Sequence, residues 1–352
     1  MGNPAVTMKT LAQQLGVSVT TVSNAYSKPD RLSEELREQV FATAKELGYC
    51  GPSAAGRALR SGKTGICGFL FGGPLSAAFS DPYSVLFLAG LSEAMESYES
   101  SVLLLRADAG DDDLLGRAPV DAVVSGSPTA AHPGLQRLAG RGVRVVGTMQ
   151  SDDADWVAID DREAGRLVGL HLARLGHRRV TLLVPGAESG PEPRETDLGP
   201  DGLLPPGFPG LGCGFAEARI LGLRETMPDA DVRVVSAGHN GKQSGRSAGA
   251  YVLDDQLRPS AIVALSDVLA LGVWEAVQQR GLTPGRDVSI AGFDDLPDAG
   301  FVGLTSVHQP ITEKGRIAGH LAMDPSYPKR QVLLPIELKV RASTGPAPLT
   351  TR

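Results

Sequence analysis

The stretch LAQQLGVSVTTVSNAY, Leu11–Tyr26, decides how the front of this 352-residue chain is read. It holds two short apolar-patterned runs parted by a Gly-Val-Ser break. Thr7 is placed to cap the first helix, whose apolar face is Leu11, Ala12 and Leu15, and Gly16 ends it. Ser18 is placed to cap the second, which sets Val19, Val22 and Tyr26 at i, i+3 and i+7. Helices this short bury little by themselves and need a third partner. After SKPDR the sequence supplies one. Ser33 is a good N-cap, and Glu34 and Glu35 follow in the first turn, where the helix dipole favours acid. Leu36, Val40, Phe41, Ala44 and Leu47 then form one apolar stripe that Gly48 closes. A three-helix head over residues 1–49 is expected.

The rhythm changes beyond the head. CGPSAAGRALRSGK, residues 50–63, is rich in small residues and reads as a linker or as a helix too weak to stand alone. From about Gly65, apolar β-like runs such as GICGFLF, SVLLL, VDAVVSG, RVTLLV, AIVAL and VSIAGF alternate with helical patterns. That alternation predicts parallel sheets covered on both faces, with too many strands for one sheet. The expectation is an α/β core of two doubly wound subdomains, one at 64–162 plus 293–324 and the other at 163–292 plus 325–345, with a tail at 346–352. Three chain crossings should join them. Residues 186–212 are dense in Pro and Gly, carry no periodicity and read as one long loop.

Composition limits the function. The net charge of −6 conceals an asymmetry: residues 1–63 carry eight basic and five acidic side chains, leaving 26 basic and 35 acidic in the remainder. A basic head on an acidic body suggests different partners for the two. No apolar run reaches the roughly 18 residues a membrane span needs, and MGNPAVTMKT has no apolar core that would serve as a signal peptide. Cys50, Cys67 and Cys213 are odd in number and fit neither a metal knuckle nor a disulfide frame. They read as reduced thiols, so a cytoplasmic protein with no membrane partner is expected. His171 and His177 are six apart, which is no zinc spacing, and His177 reads as a helix C-terminal residue complementing the dipole. There is no Walker loop. No catalytic group, cofactor or metal is expected.

VTMKTLAQQLGVSVTTVSNAYSKPDRLSEELREQVFATAKELGY resembles the DNA-binding head of the LacI/GalR family of bacterial transcription regulators, and PSAAGRALRSGKTG is similar to that family's hinge. The resemblance continues through DPYSVLFLAGLSEA, IDDREAGRLVGLHLARLGHRRVTLL, PSAIVALSDVLALGVWEAVQQRGLTPGRDVSIAGFDD, LTSVHQP and VRAST, and so covers nearly the whole chain. It implies an all-α helix-turn-helix head on a two-subdomain core like that of periplasmic binding proteins. It implies a homodimer that binds a pseudo-palindromic operator in double-stranded DNA, acting as a repressor. The second helix would enter the major groove. Val19, Thr20 and Asn24 would read bases, through a thymine methyl, base-edge hydrogen bonds and an adenine respectively. Ser18, Thr21 and Ser23 share that face, with Thr21 and Ser23 suited to phosphate. Lys28 and Arg31 flank it. Family members often carry Arg at the place of Asn24, so an operator sequence does not transfer from them. In the hinge, Leu59 lies at the position of a leucine that wedges into the minor groove. Ala55 and Ala58 are small enough to approach the groove floor, and Arg57 and Arg60 are placed for phosphate.

In the body, acids gather at predicted strand ends: Asp160-Asp161, Asp267 and Asp294-Asp295. Ligands of open α/β sheets sit outside such ends, and carboxylates suit hydroxyl-rich ligands such as sugars or nucleosides. By the resemblance, the cleft should include Asp81 or Tyr83, Ser125, Asp160, Asp267 and Asp294, with Phe79 and Phe293 available to stack on a ring. Each carboxylate can equally be a helix N-cap or a turn residue. Many relatives carry an Arg three residues before the Gly-Phe of the next helix; here LGCGF places Leu211 there. The expectation is therefore a neutral polyhydroxylated effector, or a regulator that needs none. A solute-binding protein of the periplasmic type is the alternative. It would call for a signal peptide and no helix-turn-helix.

Overall fold

The computed structural model describes residues 6–51, 62–72, 75–106, 115–126, 132–186, 193–196, 198, 204, 214–255 and 258–348. Two compact units divide at Gly65.

The head consists of α1 (Met8–Leu15), α2 (Val19–Ser27), a 3₁₀ turn at Pro29–Arg31 and α3 (Glu34–Leu47). Each start has its side-chain cap. Thr7 Oγ1 accepts the Thr10 N–H at 3.3 Å, Ser18 Oγ the Thr21 N–H at 3.0 Å, and Ser33 Oγ the Leu36 N–H at 3.3 Å. Gly16 and Gly48, at φ of 65° and 69°, take the left-handed turn that ends α1 and α3. Leu11, Val22 and Val40 are fully buried where the three helices meet, with Ala12, Ala25 and Ala44 filling the small gaps. The Tyr26 ring stands edge-on to Phe41 at 5.1 Å and to Tyr49 at 6.0 Å.

The body contains two sheets. The first has the order β2-β1-β3-β4-β5-β12 and is parallel throughout: β1 (Ile66–Phe71), β2 (Ser101–Arg106), β3 (Ala122–Ser125), β4 (Arg144–Gly147), β5 (Asp155–Ile159) and β12 (Gln331–Leu334). The second has the order β7-β8-β6-β9-β10-β11-β13: β6 (Arg179–Val184), β7 (Arg194–Thr196), β8 (Asp231–Ser236), β9 (Ala261–Ala264), β10 (Ser289–Asp294), β11 (Thr305–His308) and β13 (Glu337–Lys339). Its two edges, β7 and β13, are antiparallel. The central strands are buried along their whole length, as strands covered on both faces must be.

The covering helices are α4 (Ala77–Ser80), α5 (Pro82–Ser97), α6 (Pro133–Gly140), α7 (Asp161–Arg174), α8 (Gly214–Thr226), α9 (Lys242–Leu253), α10 (Asp267–Gln279), α11 (Pro297–Val302) and α12 (Ile311–Met323). Three pairs among them pack through glycine. Gly90 of α5 meets the Thr312 carbonyl of α12, Gly222 of α8 the Arg162 carbonyl of α7, and Gly272 of α10 the Lys242 carbonyl of α9. A Cβ at any of these would collide with backbone.

Sheet membership moves two boundaries away from those expected. β10, α11 and β11 stay with the second sheet, so the chain returns to the first subdomain at Gln309-Pro310 and not near 293. β12 then belongs to the first sheet and β13 to the second, with Pro335 and Ile336 between them. The three crossings are therefore β5 to α7, β11 to α12, and β12 to β13. The stretch read as one loop over 186–212 also contains β7, held by antiparallel pairing of Arg194–Thr196 with Val234–Ser236. Arg233 anchors that edge through Glu195 and through Asp255 at 2.7 Å. The rest of that stretch, apart from Gly186, Pro193, Leu198 and Leu204, lies outside the described residues, as do Leu211 and Cys213. Among the described residues no helix is long and apolar enough to cross a membrane.

Candidate nucleic-acid face and ligand cleft

On the head, the cap of α2 consumes part of the face that the sequence assigns to DNA. Ser18 Oγ accepts the Thr21 N–H and lies 2.8 Å from Thr21 Oγ1, so both hydroxyls serve the helix start. Val19, 45% exposed, and Thr20 project from the first turn of α2. Asn24 and Ser23 are half-buried further along, and Ser27 Oγ donates back to the Ser23 carbonyl at 2.8 Å. Val22 and Ala25 on the opposite side are buried against α1 and α3. The helix thus offers a mostly uncharged polar and methyl surface, the kind that reads base edges. The hinge residues Ala55, Arg57, Ala58, Leu59 and Arg60 lie outside the described residues.

In the body, the carboxyl ends of the strands of both sheets frame a cavity of about 250 Å³. Phe71 ends β1 and Gly72 follows it, Gly126 follows β3, and Thr148 and Met149 follow β4. Asn240 follows β8, Leu265 and Ser266 follow β9, Asp294 ends β10, and Gln309 follows β11. The order reverses at β1/β3 in one sheet and at β6/β9 in the other, the crevices where open sheets take ligands. Asp81, Tyr83, Ser84 and Phe87 from the start of α5, Asp161 from α7, Phe215 and Arg219 from α8, and Lys314 from α12 complete the wall.

Of the eight residues read from sequence as effector contacts, the structure brings Asp81, Tyr83 and Asp294 to the cavity. The other five serve elsewhere. Phe79 is 70% exposed, outside the cavity. Ser125 is buried, and its neighbour Gly126 takes the wall. Asp160 is the N-cap of α7, accepting the Glu163 N–H at 2.9 Å, while Asp161 faces the cavity. Asp267 is wholly buried. Its Oδ1 accepts from Ser306 Oγ at 2.7 Å and its Oδ2 from the Leu296 N–H at 2.8 Å, so it braces the turn after β10. Phe293 is buried, with the Arg219 guanidinium 4.4 Å above its ring. His177, too, leaves its expected role: it is buried between Ser260 Oγ at 2.9 Å and the Gly345 carbonyl at 3.0 Å, beyond the end of α7.

The turn that displays Asp294 is unusual. Asp294 and Asp295 have φ of 114° and 53°, conformations that side-chain-bearing residues rarely adopt. Neighbours hold them there. Asp295 pairs with Arg341 at 2.7 Å and His308 at 3.0 Å, its N–H donates to Ser306 Oγ at 3.0 Å, and Ser306 in turn donates to Asp267. Backbone strain of this size, about 1–3 kcal/mol per residue, persists where the surroundings over-determine it and is concentrated at ligand sites. Burial pushes the Asp294 carboxyl up to about 7; the Arg219 charge opposes that rise and Asp81 adds to it. Burial also raises Asp267, with Asp294 contributing.

Arg219 and Lys314 were missed by sequence reasoning. Arg219 is 5% exposed; it donates to Asp161 Oδ1 at 2.8 Å and to the Leu265 carbonyl at 2.7 Å, and its guanidinium lies between Phe215 at 4.8 Å and Phe293. Lys314 is 6% exposed, and its Nζ donates to Tyr83 Oη at 3.3 Å. A signal existed for both. Arg219 stands at the apolar spacing of Ala216, Ile220 and Leu223, and Lys314 at that of Ile311, Ile317 and Ala318.

Comparison with known proteins agrees with both halves. The family of bacterial regulatory proteins of the lacI type matches residues 7–51. Periplasmic binding proteins and the sugar-binding domain of the LacI family match 73–196, and a periplasmic binding protein-like domain matches 170–344. An HTH-type transcriptional regulator of Mycolicibacterium smegmatis is 36% identical, covering 97% of both chains. The chain belongs to the LacI family. It is a transcriptional regulator with a helix-turn-helix DNA-binding domain. A second HTH-type regulator of the family, from Mycobacterium tuberculosis, is 35% identical over 91% of this chain and 90% of its own. Among solved structures, a LacI-family regulator from Corynebacterium glutamicum superposes with a TM-score of 0.67 at 25% identity, covering 99% of this chain and all of its own. The lac repressor dimer bound to operator shares the fold, with a TM-score of 0.71 at 20% identity over 97% and 99% of the two chains.

Proposed function

We propose that this LacI-family regulator is a cytoplasmic homodimeric repressor that binds a pseudo-palindromic operator and is controlled by a small polar effector in the cleft between its two sheets. The observation that carries the effector half is the cavity itself. It lies at the switch points of both sheets, it is walled by hydrogen-bonding groups from both, and its strained Asp294 is fixed by a network of its own. A ligand that bridges the two sheets stabilises one relation between them, and the three short crossings leave that relation adjustable. The CelR–cellobiose complex and an Enterococcus faecium family member with bound ribose, both similar in fold to this chain, support a sugar-like ligand.

On the DNA side, α2 carries the reading. Val19 and Thr20 are exposed at its start, and Asn24 follows one turn later on the same helix. Two copies of the head would engage half-sites about one helical turn apart. Ala55, Arg57, Ala58, Leu59 and Arg60 of the hinge would meet the minor groove between them, with Leu59 as the wedge. Ordering that weak segment costs free energy, so a modest shift between the sheets can decide whether it forms. Selection of genomic fragments by the purified chain should enrich a palindromic motif. Enrichment of no motif at moderate salt would sink the operator reading, and a Leu59→Ala variant that lost specific and non-specific binding equally would sink the wedge.

A further inference from the structure

Buried charges in proteins are paired, because an uncompensated ion out of water is strongly disfavoured. The two cations of the cleft differ sharply by this rule. Arg219 is saturated: Asp161 neutralises it, the Leu265 carbonyl takes a second donor, and aromatic faces cover it. Lys314 is buried to nearly the same degree. Among the described residues its ammonium has one hydrogen-bond partner, the Tyr83 hydroxyl, and no carboxylate within salt-bridge distance. Facing the same cavity are two buried acceptors without donors, Asp81 Oδ1 and Gln309 Oε1. The partner atoms of both residues are committed: Asp81 Oδ2 accepts from Ser84 N–H and Oγ, and Gln309 Nε2 donates to Asp294. Among the described residues the empty wall therefore presents one cation without a salt-bridge partner and two unfilled acceptors, one of them on the Asp81 carboxylate, which likewise has no cation within salt-bridge distance.

We propose that the effector is an anionic polyol of monosaccharide size, a sugar acid or a sugar phosphate. Its anionic group pairs with Lys314, and its hydroxyls donate to Asp81 Oδ1 and Gln309 Oε1. This rests on the cleft being the effector site and names the ligand class. A neutral sugar fills the acceptors but leaves Lys314 without a salt-bridge partner; a cationic ligand meets repulsion from it. The cavity, about 250 Å³, is below the usual range of roughly 300–1,000 Å³ for ligand sites, which favours one ring over two. The proposal also replaces the sequence expectation of a neutral effector. That expectation came from Leu211, at the position where relatives carry Arg; Lys314 supplies its cation from α12 of the first subdomain.

The test is isothermal titration of the full chain with D-glucose, D-gluconate, D-glucuronate and D-glucose 6-phosphate, for the wild type, Lys314→Met and Lys314→Arg. At least one anion should bind about tenfold or more tightly than glucose, the carboxylate and phosphate arms showing which group is accepted. Lys314→Met should abolish that preference, Lys314→Arg should keep most of it, and added salt should weaken the anion alone. Without ligand, Lys314→Met should melt higher than the wild type, since it removes a buried unpaired charge; a lysine held for structure would make it melt lower. Glucose binding as tightly as the anions, or an unchanged anion preference in Lys314→Met, overturns the assignment. If glucose binds as tightly as the anions and Asp294→Asn abolishes that binding, the cleft stands while the anionic class falls. If no probe of either charge binds the wild type, both fall. Should Lys314→Met fail to fold, the anion-to-glucose ratio of the wild type and its salt dependence decide alone.

Discussion

Arg219→Met isolates the buried ion pair that walls the cleft. The substitution keeps the length and most of the volume of the side chain, so little of its effect should come from a cavity. What it removes is the Nε bond to Asp161 at 2.8 Å, the bond to the Leu265 carbonyl at 2.7 Å and the two aromatic faces at 4.8 and 4.4 Å. It leaves Asp161, whose side chain is only 15% exposed, without its cation. Breaking a buried pair from one side costs about 3–5 kcal/mol, and the aromatic faces contribute about 0.5–1 kcal/mol each. Those contributions overlap, so about 4 kcal/mol is expected. At roughly 2–3 °C per kcal/mol the melting midpoint falls by about 8–12 °C. Asp161→Leu should cost a similar amount for the mirrored reason. The double variant removes both charges and should recover to within about 1–2 kcal/mol of the wild type. Scanning calorimetry of the ligand-free full chain measures all four proteins on the transition of the body. Additive losses in the double variant, with a coupling under about 0.5 kcal/mol, would refute the view that the two residues act as one neutral unit.

Three further expectations follow from other parts of the molecule. Asp294 holds its proton up to about 7, whereas an unfolded aspartate releases it near 3.8, so stability from this group is present at acid pH and is lost as pH rises through that window, by at most about 1.4 kcal/mol per unit. Asp294→Asn should flatten the pH dependence of urea midpoints between about pH 4 and 7, and an unchanged slope would contradict it. Gly222→Ala drives a methyl into the Arg162 carbonyl and should cost about 3 kcal/mol by thermal melting, while Gly300→Ala, with open space around it, should sit near the wild type. On the DNA side, Asn24→Ala should weaken binding to the selected operator by about 1–3 kcal/mol in a fluorescence titration and relax preference at one base pair per half-site; a uniform loss on all sequences would assign Asn24 to phosphate.

The head was legible because its signals are local. Thr7, Ser18 and Ser33 each cap within three residues, and Gly16 and Gly48 end helices through their own φ. The alternation of the body was legible for the same reason. Sheet membership was not: nothing in SIAGFDD or QVLLPIELK says which of two sheets a strand joins, since β10 pairs with its near neighbour β9 while β12 pairs with β5, more than a hundred residues earlier. β7 was hidden because three residues at an antiparallel edge, two of them charged, show no period. Arg219 and Lys314 received no reading from sequence, although their helical spacing placed them on buried faces. The carboxylates were located to within a residue, but two of them turned out to brace and cap. Sequence gives position at a strand end; only the partners of each oxygen separate a wall residue from the one that supports it.

The late return of the chain to the first sheet has a consequence for synthesis. The hydrophobic core of that subdomain includes Ile311, Ile317, Ala318, Leu321, Ala322 and Leu334, all contributed after the second subdomain has been threaded through. At ribosomal speeds of about 5–20 residues per second, the strands β1 to β5 emerge many seconds before α12 arrives to cover them. The edge of β5 waits longer still for β12. During that interval an apolar sheet face and an unpaired edge are open to other chains. The second sheet is in the opposite position, lacking only the three residues of β13 when translation approaches its end. The nascent protein is therefore most exposed to misassembly in its older half, and the last few dozen residues act as the clasp that closes it.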